Sequence, residues 1–312
     1  MQELMWNERA PRETAAALGN FDGVHLGHAA LLRRTAEAAR SRGLMSLAYT
    51  FDRHPENAMA GAVVTPMLTD RAEKAARIAE EGVDCICFAH FTPELAALSP
   101  GDFVRQVLRD QMRARVCVCG FHYHFGAGGA GDAHMLASLC AAEGIETVVL
   151  PPVTVDGIVV SSSLIRSLIA SGQIERAERL CGHPFVVRGE VLDGKHLGRT
   201  IGLPTINQRM PEDGVVPRYG VYESRTVVGG AEYRSISNVG MRPTVAGESL
   251  NCETHIIGYE GDLYGESVPV RFVRFLRPER KFPSVEAMRE QIESDIERMG
   301  GRQRAGCGNQ TK

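Results

Sequence analysis

Two histidines three residues apart, in a run that carries three glycines, are the part of this sequence best suited to chemistry. The run is Gly19-Asn20-Phe21-Asp22-Gly23-Val24-His25-Leu26-Gly27-His28. The apolar stretch Ala15-Ala16-Ala17-Leu18 precedes it and reads as a strand. Ala29-Ala30-Leu31-Leu32 follows and opens a helical pattern that ends near Gly43. Gly19 and Gly23 are expected to supply positive φ for a tight turn. Gly27, without a Cβ, is expected to let a nucleotide come close to the backbone. Free N–H groups and the dipole at the start of a helix attract phosphate. His25 and His28 fall on one face of the first helical turn. There they can donate to charge that grows on a phosphorus under attack. The plainer reading makes both of them polar helix-cap residues. The spacing H-x-G-H directly after a strand is a demanding context and favours the chemical one.

Three further stretches of the first half hold polar side chains in similar settings. Thr50-Phe51-Asp52-Arg53-His54-Pro55 leaves a second strand-like run. His54 is there either as a phosphate contact or as a loop histidine before a proline turn. The glycine-rich loop from Gly120 to Gly131, with His122 near its start, follows a run from Arg115 to Cys119. Ser161-Ser162-Ser163-Leu164-Ile165-Arg166 opens a short helix that ends at Gly172. Ser162 suits an N-cap. The N–H groups of its neighbours, Ser163 included, can hold a departing pyrophosphate together with Arg166, whose fork of donors matches phosphoryl oxygens. By itself this stretch also reads as a serine cap with a surface arginine.

The elements that must position these loops are strands alternating with helices. Strand runs fall at 15–18, 44–51, 83–88, 115–119 and 145–150. Between them, Asp70 and Glu73 form a capping-box start for a helix that ends at Gly82. Ser99 before Pro100 starts another, to about Arg113. A third runs from about Asp132 to Ala142. This alternation predicts an α/β, Rossmann-like doubly wound parallel sheet with helices on both faces. With strand order 3-2-1-4-5, the histidine loop and the loop of His122 meet at one crevice beyond the carboxyl ends of the strands.

From Gly182-His183-Pro184 onward the pattern changes to short β-rich runs at 185–192, 219–228, 233–239, 254–259 and 268–276. They predict a small antiparallel β-barrel, followed by a helix over 285–298. Gly194-Lys195-His196-Leu197-Gly198-Arg199 suits phosphate. Pro204-Thr205-Ile206-Asn207 supplies a hydroxyl and an amide oxygen, hard ligands for Mg²⁺. Arg242 lies in a further turn, and Glu253 opens a strand with a carboxylate. Each of these singly also fits ordinary turn chemistry.

The 312 residues divide naturally into two domains, expected at 1–182 and 183–306, with a frayed tail over 307–312. The formal net charge is −3 and no basic run stands out, so no nucleic-acid partner is expected. No apolar run is long enough to span a bilayer and the start does not resemble a signal peptide, so no membrane role and a cytoplasmic location are expected. Four of the eight cysteines form C-x-C pairs, Cys85 with Cys87 and Cys117 with Cys119, inside apolar runs. On a strand each pair points to one face, which reads as core thiols rather than a zinc site. Cys307 is expected to be exposed in the tail.

The H-x-G-H element resembles the nucleotidyltransferase signature. The longer G-N-F-D-G-V-H-x-G-H resembles that of the bacterial bifunctional riboflavin kinase/FAD synthetases. Ser161 to Arg166 is similar to that family's S-S-T-x-I-R element, and 185–282 resembles its riboflavin kinase domain, with Ile206 where P-T-x-N usually has Ala. The resemblance implies ATP-dependent phosphorylation of riboflavin to FMN by the second half and adenylylation of FMN to FAD, with release of pyrophosphate, by the first. It implies Mg²⁺, with Thr205 and Asn207 at the Mg²⁺–ATP site and Glu253 as base. The alternatives are a nucleotidyltransferase for another phosphorylated acceptor and a flavin-binding regulator on a decayed scaffold. If the two activities are separable, a fragment of residues 184–312 phosphorylates riboflavin and makes no FAD. A folded fragment without kinase activity, beside an active whole chain, would move the boundary or the assignment.

Overall fold

The computed structural model describes residues 1–193, 202–244 and 247–300. Gly194, Lys195 and Gly198, with the rest of the phosphate-suited loop, and Cys307 lie outside the described residues. The chain forms two compact units. One comprises Met1–Arg166, Arg179–Gly182 and Asp213–Val215; the other comprises Ser167–Glu178, His183–Glu212 and the remainder from Val216.

The first unit holds a six-stranded parallel sheet. Its strands are β1 (Gln2–Leu4), β2 (Thr14–Leu18), β3 (Met45–Phe51), β4 (Cys85–Ala89), β5 (Ala114–Gly120) and β6 (Glu146–Leu150). The order is β1-β4-β3-β2-β5-β6. The five expected runs take the supposed 3-2-1-4-5 arrangement, and β2 lies between β3 and β5. The edge strand β1 was not legible, because three residues show no alternation; it forms by pairing parallel with β4. Helices α1 (Leu26–Arg42), α2 (Pro55–Ala60), α3 (Arg71–Glu80), α4 (Pro93–Ala96), α5 (Pro100–Asp102) and α6 (Ala133–Ala142) connect the strands. From Phe103 to Gln111 the chain is π-helical. Asp70 and Ser99 are the caps expected, accepting the N–H of Glu73 and Asp102, and Asp132 caps α6 by accepting that of Met135. Cys85, Cys87, Cys117 and Cys119 are fully buried, on one face of the sheet with Leu18, Tyr49 and Phe103. Burial pushes the Cys87 and Cys119 thiols up to about 12, so these are inert core groups. A small hairpin, β7 (Thr154–Val155) with β8 (Ile158–Val159), precedes α7 (Ser162–Ala170) and α8 (Ile174–Cys181).

The second unit is built on a curled antiparallel sheet of β9 (Phe185–Val187), β10 (Val191–Leu192), β11 (Thr205–Arg209), β12 (Gly220–Val228), β13 (Ala231–Thr244), β14 (Gly247–Ile256) and β15 (Val270–Arg277). Its order is β10-β11-β14-β13-β12-β15-β9. The run 185–192, expected as one strand, is two. Its first half pairs with β15 at one edge and its second half with β11 at the other. A single bent segment therefore supplies both edges and curls the sheet toward closure. The Pro204–Asn207 stretch, read only as a ligand-bearing turn, continues into strand β11. Strand β14 starts at Gly247, so Glu253 lies well inside it rather than opening it.

The inward face carries a row of hydroxyls shielded from water. Ser224 bonds Ser235 at 2.9 Å and Ser237 at 2.7 Å; Thr226 donates to Ser235 at 2.8 Å; Ser237 bonds Thr254 at 2.8 Å. Side chains alternate across a strand, so Ser237 and Thr254 hold Asn238 and Glu253 on the opposite face. Helix α9 (Val285–Gly300) packs Ile292, Ile296 and Met299 on that outer face, against Val221 and Ile236. Because Ser237 bonds both Ser224 and Thr254, Ser237→Ala removes two buried hydrogen bonds and is expected to cost about 1–3 kcal/mol in urea unfolding. A loss below about 0.5 kcal/mol would mean that the row relaxes freely.

Candidate functional site

In the first unit the loop after β2 is anchored through Asp22, whose side chain is 1% exposed. Its carboxylate accepts from the N–H of Leu68 at 2.9 Å and of Thr69 at 3.3 Å, and from Arg166 Nη2 at 2.6 Å. Its main-chain carbonyl accepts from Ser162 Oγ at 3.0 Å. Gly23 has a φ of 80°, and a Cβ there would lie 2.7 Å from the Leu68 side chain. Only glycine lets that segment close over the carboxylate. The turn is strained: Phe21 and Val24 take φ of 46° and 36°, conformations that non-glycine residues hold only when their surroundings enforce them. Gly19 does not supply the expected positive φ. Its lack of a Cβ instead makes room for the Phe21 ring, 3.2 Å from where that Cβ would stand.

His25 is the N-cap of α1, and its Nδ1 accepts the His28 N–H at 3.3 Å. In the neutral ring the proton then sits on Nε2, which makes that nitrogen the donor. Gly27 leaves room for this ring, which lies 3.1 Å from where a Cβ would stand. The two imidazoles stack with centroids 3.7 Å apart. Burial, then the nearby His25, Lys74 and Arg166, holds His28 well below the usual imidazole value. His28 is therefore neutral at pH 7, and its Nδ1 is sealed from solvent without a partner. His54 comes to the same place from the loop after β3: its Nε2 lies 3.3 Å from Asn20 Nδ2. Burial lowers its pKa and Glu56 opposes that shift.

The structure thus gathers Asn20, Phe21, Asp22, His25, His28, His54, Ser162 and Arg166. Two expectations change in detail. Ser161, not Ser162, caps α7, by accepting the Leu164 N–H at 3.3 Å; Ser162 is the first helical residue and its hydroxyl points back to Asp22. Arg166 is already engaged, by Asp22 and by the Pro66 carbonyl. Ser163, next to it, is exposed. His122 is exposed in the loop after β5, where its carbonyl accepts from His124; no described contact joins it to the histidine pair. Gly126 and Gly131 of that loop serve close packing, since a Cβ at either would meet Pro100 or Phe125.

Lys74 was missed by sequence reasoning. It lies on α3, where its spacing marks only one more charged helical residue. Yet it is 3% exposed, and its ammonium donates to the carbonyls of Asn20 at 3.0 Å and Phe51 at 3.2 Å.

In the second unit Asn207 stands directly across from Glu253, and Glu253 across from Asn238, in one row over β11, β14 and β13. Thr205, two residues from Asn207, shares that face. Arg242 binds Glu253 through Nε at 3.0 Å and Nη2 at 3.4 Å, and Glu279 through Nη1 at 3.1 Å. Asn238 also donates to Glu279, at 2.8 Å. A Cβ at Gly240 would collide with the Glu279 carboxylate, so that glycine admits it. Glu279, from the segment after β15, is a second residue the sequence did not announce. No spacing pattern links it to Arg242.

Two family models match the chain, one described as FAD synthetase over residues 7–164 and one as riboflavin kinase over 181–301. The chain belongs to the bifunctional riboflavin kinase/FMN adenylyltransferase family. Curated proteins named bifunctional riboflavin kinase/FMN adenylyltransferase are 36% identical over 285 residues in Listeria monocytogenes and 34% identical over 289 in Escherichia coli K12. The alignments cover 89% and 92% of this chain and the same shares of those proteins. A solved Streptococcus pneumoniae structure, described as a macrolide-efflux protein, matches with TM-score 0.86 and 29% identity, over 96% of this chain and 99% of that one. No helix among the described residues is long and apolar enough to cross a membrane.

The Asp22–Arg166 pair yields a stability test. Removing one partner of a buried ion pair strands the other, so Asp22→Ala is expected to cost about 3–5 kcal/mol in urea unfolding. A cost under 1 kcal/mol would show that the loop does not depend on it.

Proposed function

We propose that the chain is a bifunctional flavin-cofactor enzyme: ATP-dependent riboflavin kinase in its second part and FMN adenylyltransferase in its first. The division is taken at residues 182 and 183. The observation that carries this reading is the pair of stacked histidines at a helix start, His28 of them held neutral, beside Asn20, His54 and Arg166. Attack of an FMN phosphate oxygen on the α-phosphorus of ATP forms one P–O bond and breaks another, releasing pyrophosphate. Negative charge grows on the oxygens in between. The Nε2–H of His25 is a donor fixed in advance by its Nδ1 bond, and such preorganised donors stabilise developing charge. His28, neutral when the site is free, gains a reason to take a proton once phosphates arrive and offset Lys74 and Arg166. The first-turn N–H groups of α1 and of α7, with Ser162 and Ser163, suit the phosphates.

For the kinase step, Glu253 suits the role of base for the ribityl hydroxyl of riboflavin, whose oxygen attacks the γ-phosphorus of ATP to leave ADP. Its bond to Arg242 is the condition to be relieved: when Arg242 turns to incoming phosphate, the Glu253 carboxylate is free to accept the proton. Thr205 and Asn207 offer two hard oxygens on one face of one strand, a donor set that fits Mg²⁺. The ion would neutralise phosphate charge when bound. Substrates and products are ATP, riboflavin, FMN and FAD. The seven described cysteines are buried thiols and none is in a disulfide, which agrees with a reducing compartment such as the cytoplasm.

The two steps should fail independently. With riboflavin, Mg²⁺ and ATP, His28→Ala is expected to lose about 10²–10³ in FAD formation and keep FMN formation. Glu253→Gln is expected to lose about 10²–10⁴ in FMN formation while converting supplied FMN to FAD at the parent rate. Chromatographic separation of the flavins reads both. Unchanged FAD synthesis by His28→Ala would move the adenylyl site elsewhere, and unchanged FMN synthesis by Glu253→Gln would make Glu253 structural.

A further inference from the structure

We propose that Lys74 is a positioning residue for adenylyl transfer, the buried cation that ties the loops after β2 and β3 into one phosphate-facing surface. The inference rests on the adenylyltransferase reading and extends it. Lys74 donates to the carbonyl of Asn20, in the histidine loop, and to that of Phe51, the last residue of β3. Asn20 also accepts from Thr50 at 2.8 Å, and its amide meets His54. One ammonium therefore fixes the backbone on both sides of the Asn20–His54 contact. A neutral amine could donate to these carbonyls but would not carry the charge.

That charge is an unusual expense. A lysine this buried loses most of its hydration, and two carbonyls restore only part of it. No carboxylate among the described residues bonds it directly; Asp22, engaged by Arg166, and Asp52, from the loop after β3, act on it from a distance. The other charged or titratable groups that face it are His28 on α1, His54 after β3 and Arg166 on α7. Arg166 is matched by Asp22 and Asp52 lies only at a distance, so the Lys74 ammonium has no bonded counter-charge of its own; the reaction brings an anion, the triphosphate of ATP and then pyrophosphate. Burial brings the Lys74 ammonium down to about 8.

The sign of the pH effect separates this role from a structural one. Between about pH 8 and the ordinary lysine value, the unfolded chain holds the proton and the folded chain does not. The contribution of Lys74 to stability therefore rises with pH across that window. Its contribution to transfer runs the other way, because the charge is lost as pH rises through 8.

The test uses the full chain, supplied FMN, ATP and Mg²⁺, and follows kcat/KM for FAD formation from pH 6.5 to 10. Riboflavin phosphorylation and thermal melting are read alongside. The parent is expected to lose FAD formation above about pH 8 without a matching loss of fold. Lys74→Arg, which keeps the charge, is expected to move that alkaline fall upward by at least about one pH unit. Lys74→Met is expected to lose at least tenfold at pH 7 and to lack that fall, with FMN formation unchanged. FAD formation by Lys74→Met within twofold of the parent overturns the proposal. So does an alkaline fall that stays in place in Lys74→Arg, which decides the matter even if Lys74→Met does not fold. If the parent makes no FAD at any pH, the adenylyltransferase reading itself falls, and this proposal with it. If the parent makes FAD and the lysine variants do not alter it, only the role of Lys74 is lost.

Discussion

A carboxylate taken out of water is the constraint around which the first unit is arranged. Asp22 is stable in its place only because donors from two other stretches converge on it: two N–H groups at Leu68 and Thr69, and the guanidinium of Arg166. Each would be poorly satisfied alone. Together they hold the loop after β2, the segment before α3 and the start of α7 in one place. The strained φ of Phe21 and Val24 persists because this network leaves the chain no easier path. The histidine pair inherits its geometry from that turn.

The second unit solves a similar problem with the opposite arrangement. Its charged row, Arg242 with Glu253 and Glu279, lies half-exposed on an outer face. The buried polar groups behind it are uncharged hydroxyls that satisfy one another. Neutral hydrogen bonds cost less to bury than ions, so the wall is firm while the groups on it remain free to exchange partners. Arg242, shared between two carboxylates, has a second place to go whenever a new anion arrives.

The sequence made much of this legible. The strand–helix alternation and the C-x-C pairs set the sheet and the buried face of β4 and β5, while its order is a supposition that the structure bears out. The H-x-G-H spacing found the histidine pair, and the resemblance found the row of Asn207 and Glu253. What stayed hidden depends on contacts between residues far apart in the chain. Lys74 looks like any charged position of a helix until its ammonium is seen under Asn20. Glu279 has no relation to Gly240 by spacing. Gly19, Gly27 and Gly131 are glycines for the rings they make room for, and a sequence does not say which ring will lie there. Strand β1 exists only because β4 offers it an edge.

The bent segment 185–192 also sets an order of events. Its first half is made early but pairs with Val270–Phe272, so that edge stays open until nearly the whole chain has left the ribosome. The parallel sheet has no such wait, since its strands meet neighbours only a helix or two away, apart from β1 and β5. Contacts distant in sequence form late and slowly. During synthesis the chain therefore passes through a stage in which the first unit is complete and the second still shows an unpaired strand, the interval in which it is most exposed to mispairing with another copy.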